Sequence, residues 1–237
     1  MKSESSDPAD TAMALRLAHD NNGSVLVEAT LMLTFMIVFI FGSIDFLLAF
    51  YEYNAATKAV QVGARIAAVS DPVASSLNGL SVALVSASLR PGSTMPSFIV
   101  TCDGGAEKCT CEGTCLGGLV GYNAAAMDTI VFGRGSSTCG DATSFYSAGM
   151  CDIFKRITRA NVRIEYRQAT APAGLGYVGR PGGPVPTIKV SLQNMAFRFF
   201  FLGSLFPNIP IPELVTTITG EDLSSCAPLI SSCTNSP

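Results

Sequence analysis

Charged residues are scarce in this sequence, and no stretch of it gathers charge of one sign. Aspartate, glutamate, lysine and arginine make up 14% of the 237 residues, whereas 48% are hydrophobic. Soluble domains carry about a quarter of charged residues, so the composition indicates a chain that lies partly in lipid. The formal net charge of -3 is dispersed, and the missing basic patch excludes nucleic acid as a partner.

Cysteine is absent from the N-terminal part of the chain and frequent in the rest. The eight cysteines are Cys102, Cys109, Cys111, Cys115, Cys139, Cys151, Cys226 and Cys233. An even number of cysteines on one side of an apolar segment is typical of an oxidising compartment, where a disulfide adds roughly 2 to 4 kcal/mol of stability. We therefore expect the residues after that segment to lie outside the cytoplasm.

The cysteines between residues 102 and 115 follow one another closely. Their spacing, C-x6-C-x-C-x3-C, lacks the paired C-x2-C and the histidines that are typical of zinc sites. Disulfides that staple a coreless loop are therefore favoured over zinc, in an insert that covers about residues 102–151. Cys226 and Cys233 can close a small loop in the tail. Eight cysteines can pair in many ways, and the sequence leaves the connectivity open.

The longest run without a charged residue extends from Ala29 to Ile44, and apolar residues flank it on both sides. A helix of ~20 apolar residues crosses a hydrocarbon core of ~30 Å. The run is longer than the apolar part of a secretory signal peptide, and no small-x-small cleavage site stands near Phe50. A retained membrane-spanning helix over residues 24–50 is therefore favoured over a signal peptide.

The helical pattern continues beyond the apolar run. Residues with the spacing of one helical face are Ala55, Ala59, Val62, Ile66 and Val69. Proline disfavours helical geometry in the residue before it, so Asp71-Pro72 ends the pattern. The sequence predicts one helix from Ser24 to Ser70, in which residues 51–71 form an extracytoplasmic continuation.

Two acidic residues border the apolar run. An ionised carboxylate in hydrocarbon costs on the order of 2.5 to 3.5 kcal/mol, so each acid needs a partner or access to water. Glu28 falls near the start of the helix, where the helix dipole favours an acid by about 0.3 to 1 kcal/mol. Asp45 lies about 25 Å further along, at ~1.5 Å per residue. We expect Asp45 to be a solvated acid at the outer boundary, with a contact to a neighbouring helix as the alternative.

Alternating apolar residues predict strands in the C-terminal part. Val162 to Arg167, Ile188 to Gln193 and Leu214 to Thr219 each suit a strand, and a loop rich in glycine and proline separates the first two. Five phenylalanines gather between residues 197 and 206, and core packing is the favoured role for them, with a subunit or membrane contact as the alternative. The predicted fold class is α+β, with the long N-terminal helix packed on a small antiparallel sheet. The periplasmic α+β domain would cover residues 72–237.

Gly23-Ser24 followed by Val25, Leu26, Val27 and Glu28 resembles the processing site of type IV prepilins. In that family a peptidase cuts after the glycine, and the fifth residue of the mature chain is glutamate. The resemblance implies that residues 1–23 are a cytoplasmic leader that is cleaved. It also implies that Ser24 becomes a charged N-terminus, with which Glu28 of the same or a neighbouring subunit can pair.

Residues 41–69 resemble the TadE-like minor pseudopilins of tight-adherence (Tad, or Flp) pilus systems. The matching positions are Phe41-Gly42, Asp45, Asn54-Ala55, Ala59 and Gly63-Ala64-Arg65. The strand, glycine-rich loop, strand and final T-G-E-D-L sequence within residues 150–225 are similar to the same family. The resemblance covers residues 20–70 and 150–225, or about half of the chain, and implies an assembly role for Glu28 and Asp45.

Nothing in the sequence favours an enzyme. The one histidine, His19, lies in the predicted leader, so the cleaved chain would lack the histidine of Ser-His and Cys-His pairs and of most zinc sites. No phosphate-binding loop, nucleophile elbow or paired acids stand out. The sequence therefore predicts no catalytic residue, no cofactor and no metal site.

Two functional hypotheses remain. The first is a minor pseudopilin that assembles into or primes a Tad pilus for adhesion and surface attachment. Its partners would be the major pilin, other minor pseudopilins, the prepilin peptidase and the platform complex. The second is an uncleaved, single-span periplasmic module that binds other molecules and never polymerises. In both, the chain crosses the inner membrane once and its C-terminal domain is periplasmic; in the first, it also enters the extracellular pilus.

Overall fold

The computed structural model describes residues 22–86, 89–113, 121–140, 147–169, 174–180, 184–204, 209–220 and 223. The chain divides into two compact units. One comprises Met1–Leu48 with Phe199–Pro207, and the other comprises Ala49–Arg198 with Asn208–Pro237. Residues 1–21 of the predicted leader lie outside the described residues. Cys115, Cys226 and Cys233 lie outside them as well.

The predicted long helix is confirmed. Helix α1 extends over Asn22–Ala68, contributes residues to both units, and ends just before the Asp71-Pro72 pair. Within the second unit its buried face consists of small residues together with one valine: Ala56, Ala59, Val60, Gly63, Ala64, Ala67 and Ala68. Of the predicted apolar stripe, Ala59 is fully buried and Ala55 and Ile66 are partly buried against the core, whereas Val69 is 40% exposed. Small side chains let the helix backbone approach the core closely. The face that carries most of the alanines is therefore the buried one.

A five-stranded antiparallel sheet forms the centre of the second unit. Its strands are β1 (Phe98–Asp103), β2 (Lys108–Gly113), β3 (Val162–Gln168), β4 (Thr187–Leu192) and β5 (Leu214–Thr219), in the spatial order β2-β1-β3-β4-β5. The three predicted strands correspond to β3, β4 and β5. Their alternation places Ile164 and Tyr166 beside Val190 and Ile188 in the ladder, and all four side chains are fully buried.

Three short helices complete the second unit. They are α2 (Leu77–Ser86), α3 (Ala124–Phe132) and α4 (Met150–Ile153). Asn123 caps α3 by accepting a hydrogen bond from the Ala126 N–H at 3.1 Å. The Tyr166 hydroxyl on β3 accepts a hydrogen bond from the buried Val73 N–H at 3.0 Å, which joins the sheet to the segment after α1.

The prediction of a coreless loop around Cys102 was wrong, because this segment opens with the β1–β2 hairpin. Cys102 and Cys109 face each other across the hairpin, form a disulfide and are buried in the core. Cysteine packs like a small apolar residue, so the alternation of Phe98, Val100 and Cys102 is that of a half-buried strand. The prediction had assigned the thiols to a loop without weighing their hydrophobicity.

The disulfide-rich character of the insert is confirmed. A second disulfide joins Cys139 to Cys151, the second residue of α4, and Cys111 is also disulfide-bonded. No cysteine in the described ranges is free. The α+β architecture with a long N-terminal helix, an antiparallel sheet and disulfides is thus the one that the sequence predicts.

Candidate functional site

The N-terminal part of helix α1 presents a continuous apolar surface. Large hydrophobic side chains from Val25 to Leu48 are exposed around the whole circumference of the helix, among them Phe35, Phe39 and Phe46 at 71%, 77% and 70%. A helix that is apolar on all sides is typical of a membrane span. The helix is long and apolar enough to cross a membrane.

Glu28 is exposed near the start of this helix. It has no hydrogen bond or ion pair with any residue that the structure describes. The Gly23-Ser24 peptide bond lies one turn earlier, at the helix end, where a β-carbon added to Gly23 would have no described atom within 4 Å. Residues four apart on a helix occupy the same face, so Ser24 and Glu28 are neighbours on its surface. The structure therefore brings the two predicted processing residues and the predicted assembly acid to one end of the apolar segment.

Asp45 lies near the other end of the apolar segment and is buried, with 1% of its surface exposed. Its carboxylate accepts three backbone hydrogen bonds. The Phe200 N–H donates to Oδ1 at 2.9 Å, and the Phe201 and Leu202 N–H groups donate to Oδ2 at 2.9 and 2.7 Å. The predicted solvated acid was therefore wrong. The partner of Asp45 is a distant loop of its own chain.

Two of the residues that donate to Asp45 also make aromatic contacts. Phe201 stacks on Phe41 of helix α1, with the ring centroids 4.1 Å apart and the planes at 20°. Phe200 meets Phe201 edge-on at 4.9 Å, and 80% of its surface is exposed. Phe197 packs against the core of the second unit, as predicted, whereas the core assignment is wrong for Phe200. Phe206 lies outside the described residues.

This arrangement can hold a segment and present an apolar surface. Among the residues that the structure describes, no three of the histidine, cysteine, aspartate and glutamate side chains lie together so as to hold a metal ion. The site consists of one carboxylate with three backbone N–H donors, two of which belong to phenylalanines.

Sequence reasoning identified Asp45 and the phenylalanine cluster separately but did not connect them. Two signals were available: an acid beside an apolar span needs a donor set, and the phenylalanines are too numerous for a surface loop. The donors, however, are backbone N–H groups, which every residue except proline has, so no residue type marks them.

Comparison with known proteins gives one finding. No curated protein and no solved structure matches the chain. The family model of the TadE-like protein matches residues 23–65, which begin at the predicted cleavage glycine and end at Arg65. The match covers the first of the two segments that carry the predicted resemblance, and residues 150–225 remain a prediction. Residues 23–65 are thus a TadE-like segment, which suggests a protein associated with a Tad pilus.

Proposed function

We propose that this chain is a minor pseudopilin that is cleaved after Gly23 and assembles into, or primes, a Tad pilus used for surface attachment. The observation that carries the proposal is the position of the TadE-like match. It starts at Gly23 and covers both the exposed apolar half of helix α1 and the small-residue face around Gly63. One segment thus supplies a cleavage site, a span and a packing face for the folded domain.

The energetics of insertion favour this role. Burying one large apolar side chain in lipid contributes about 1.5 to 3 kcal/mol, and more than a dozen such side chains are exposed on the apolar half of α1. Glu28 opposes insertion by on the order of 2.5 to 3.5 kcal/mol if it stays ionised in hydrocarbon. The apolar term is several times larger, so the helix inserts despite Glu28. The acid is then retained for a purpose other than anchoring.

That purpose, in this proposal, is pairing with a new N-terminus. Cleavage after Gly23 leaves a positively charged amine on Ser24, four residues before Glu28 and on the same helical face. An ammonium and a carboxylate that meet in a region of low dielectric form a charge-assisted hydrogen bond, which compensates both for lost water. Glu28 has no partner within the described residues of its own chain, so it is available to the amine of a neighbouring subunit.

The domain after the span is proposed to be periplasmic, and its role structural rather than enzymatic. The disulfides Cys102–Cys109 and Cys139–Cys151 support the compartment, because the cytoplasm keeps thiols reduced. The lack of any histidine after residue 19 supports the structural role. The proposed partners are the major pilin, other minor pseudopilins, the prepilin peptidase and the platform complex.

N-terminal sequencing of the membrane-extracted protein tests the proposal. The wild-type chain is expected to start at Ser24, and Gly23→Val is expected to retain Met1, because a branched side chain obstructs the extended backbone at the cut. Gly79→Ala, which changes a glycine in open space on α2, serves as the matched control and is expected to start at Ser24. An intact Met1 in the wild type, in cells with active peptidase, would favour the uncleaved, membrane-anchored binding module instead.

The compartment has its own test. A thiol reagent that cannot cross membranes, applied to intact spheroplasts after mild reduction, is expected to label the cysteines of the C-terminal domain. Labelling only after lysis, with the cysteines already reduced, would contradict the proposed orientation.

A further inference from the structure

The 199–204 loop lies between strands β4 and β5 and belongs to the same compact unit as the apolar part of helix α1. Two backbone hydrogen bonds close the base of the loop. The Phe197 N–H donates to the Ile209 carbonyl at 2.9 Å, and the Ile211 N–H donates to the Met195 carbonyl at 2.8 Å. The chain therefore leaves the sheet and returns to it at one place.

The backbone of this loop meets the requirement that a bilayer imposes on irregular structure. Non-helical backbone at membrane depth must have its N–H groups satisfied by protein, since lipid offers no acceptor. Three successive N–H groups, those of Phe200, Phe201 and Leu202, are satisfied by the Asp45 carboxylate. An acid beside hydrocarbon needs donors in turn. The carboxylate supplies the acceptors that the loop needs, and the loop supplies the donors that the carboxylate needs. These hydrogen bonds would stabilise the loop less in bulk water, because water can replace both partners.

The side chains of the loop are suited to the boundary between lipid and water. Phe200 is 80% exposed, and on the helix Phe46 and Leu47 are exposed at 70% and 65% directly after Asp45. Burying a phenylalanine in an apolar environment contributes about 1.5 to 3 kcal/mol relative to leaving it in water. Asp45 lies about 25 Å from Glu28 along the helix, close to the ~30 Å thickness of the hydrocarbon core. The loop is therefore attached at the height of the second interface.

We propose that the 199–204 loop is a second membrane contact of this chain, an interfacial anchor that Asp45 fixes to helix α1 and that places Phe200 in the outer leaflet. The inference rests on the proposed function for the membrane span, and it adds a contact from the loop between strands β4 and β5. The loop and the span then contact one continuous lipid surface.

The extent of the exposed surface favours lipid over a second copy of the chain as the occupant. Phe201 stacks on Phe41 and keeps 38% of its surface exposed, whereas Phe200 is 80% exposed. A phenylalanine buries about 150 to 250 Å², whereas a stable protein interface buries roughly 800 Å² on each partner. The loop alone is therefore too small for a subunit interface. Its exposed ring belongs to the same unit as the exposed apolar half of α1, which is proposed to lie in lipid, so lipid is the occupant that covers both.

Tryptophan fluorescence tests this inference, since the chain contains no tryptophan. Phe200→Trp places one indole on the loop of the full-length protein, reconstituted in phosphatidylcholine and phosphatidylglycerol vesicles. The emission is expected to be blue-shifted relative to that of an aqueous indole. Lipids brominated near the headgroup are expected to quench it more strongly than lipids brominated near the end of the acyl chain.

Two matched variants provide the references. Phe39→Trp replaces a 77% exposed ring in the middle of the apolar run, and it is expected to be quenched most by the deeply brominated lipids. Tyr177→Trp replaces a 47% exposed ring in the second unit, and it is expected to respond to aqueous iodide and not to brominated lipid. All three replacements put an aromatic ring at an exposed aromatic position, so folding should be retained.

The outcomes separate the inference from the proposed function. If Phe39→Trp is quenched by deep bromines while Phe200→Trp behaves like Tyr177→Trp, the span stands and the interfacial loop is refuted. If Phe39→Trp is not quenched by lipid, both are overturned. If Phe200→Trp shifts to the blue only as the ratio of protein to lipid rises, the ring contacts a second copy and the lipid assignment is wrong.

Discussion

Gly63 of helix α1 lies directly against the side chain of Met150. A β-carbon added to Gly63 would be 2.7 Å from the Met150 Cγ and would overlap the Sδ atom. Met150 begins helix α4 and is fully buried, and the next residue, Cys151, is held by the disulfide to Cys139. The glycine of the Gly63-Ala64-Arg65 sequence thus makes room for a constrained part of the core. Within the TadE-like segment, this sequence serves the packing of the folded domain.

Gly63→Ala is expected to destabilise the protein. Alanine gains about 1 kcal/mol over glycine in helix propensity, but overpacking a fixed core costs about 1 to 3 kcal/mol. We expect the free energy of unfolding to fall by about 1 kcal/mol, measured by urea denaturation in detergent. Gly79→Ala, on helix α2 with open space around it, should instead raise the free energy of unfolding by about 0.5 to 1 kcal/mol. An equal gain in both variants would show that Met150 moves aside without cost.

Asp45→Asn is expected to loosen the 199–204 loop without unfolding the domain. The asparagine amide retains one acceptor oxygen and replaces the other with an NH2 donor, so at least one of the three loop N–H groups loses its acceptor. Amide hydrogen exchange at Phe200, Phe201 and Leu202 should accelerate by about tenfold or more. Asp128→Asn, which removes an acid paired with Arg159 elsewhere, is the control. Unchanged exchange at the loop in Asp45→Asn would mean that the carboxylate does not hold it.

The pairing of Asp45 with the loop could not be read from the sequence, because it is a tertiary contact between residues 155 to 157 positions apart. The apolar run and the three alternating strands could be predicted, since hydrophobic periodicity is a local property. Strand β1 has the same alternation, but its inward positions include Cys102, and the turn that follows it begins with Gly104-Gly105, a sequence typical of a loop. The cysteines correctly predicted a disulfide in this segment. They also favoured a loop, so strand β1, which carries Cys102, was not predicted.

The buried face of α1 is a second instance in which tertiary packing decided the outcome. The predicted stripe combined Ala55 and Ala59 with larger apolar residues, and Ala59 is indeed fully buried. The core also contacts Ala56, Gly63 and Ala67, which the stripe did not include, and at Gly63 a β-carbon would have no room beside Met150. The hydrophobicity of a helix face therefore does not predict how closely that face packs against the rest of the core.

The Asp103 carboxylate makes the stability of the hairpin dependent on pH. Burial raises the pKa of the Asp103 carboxyl, but the hydrogen bonds from Gln193, from the Ala106 and Gly105 N–H groups and from Arg163 together lower that pKa below its usual value. The folded pKa is therefore lower than the unfolded one, near 3.8. A group with this sign contributes stability above its unfolded pKa, and the contribution is lost as the pH falls through the folded pKa.

Acid titration of Asp103→Asn checks this sign. At neutral pH the variant is expected to be less stable than the wild type by about 1 to 3 kcal/mol, because it loses hydrogen bonds to a charged acceptor. Below pH about 4 the difference should start to shrink, because the unfolded wild-type chain then takes up a proton at Asp103. It should vanish once the pH is below the folded pKa, where the folded carboxylate is protonated as well. Denaturation curves at several pH values measure this difference in the free energy of unfolding. Glu112→Gln, an exposed acid on β2, should change neither the stability nor its pH dependence. A constant gap between Asp103→Asn and the wild type down to low pH would contradict the assignment.

Glu28→Ala and Glu28→Lys separate anchoring from assembly. The apolar half of α1 supplies far more insertion energy than Glu28 opposes, so both variants should enter the membrane fraction in wild-type amounts. Neither can pair with the Ser24 amine of a neighbour, and lysine adds repulsion between two positive charges. We therefore expect both to be missing from the sheared pilus fraction, as judged by immunoblotting. Glu112→Ala, which removes an exposed acid from the second unit, should be incorporated normally. Normal incorporation of Glu28→Ala would remove the carboxylate from the assembly step and leave the span as an anchor alone.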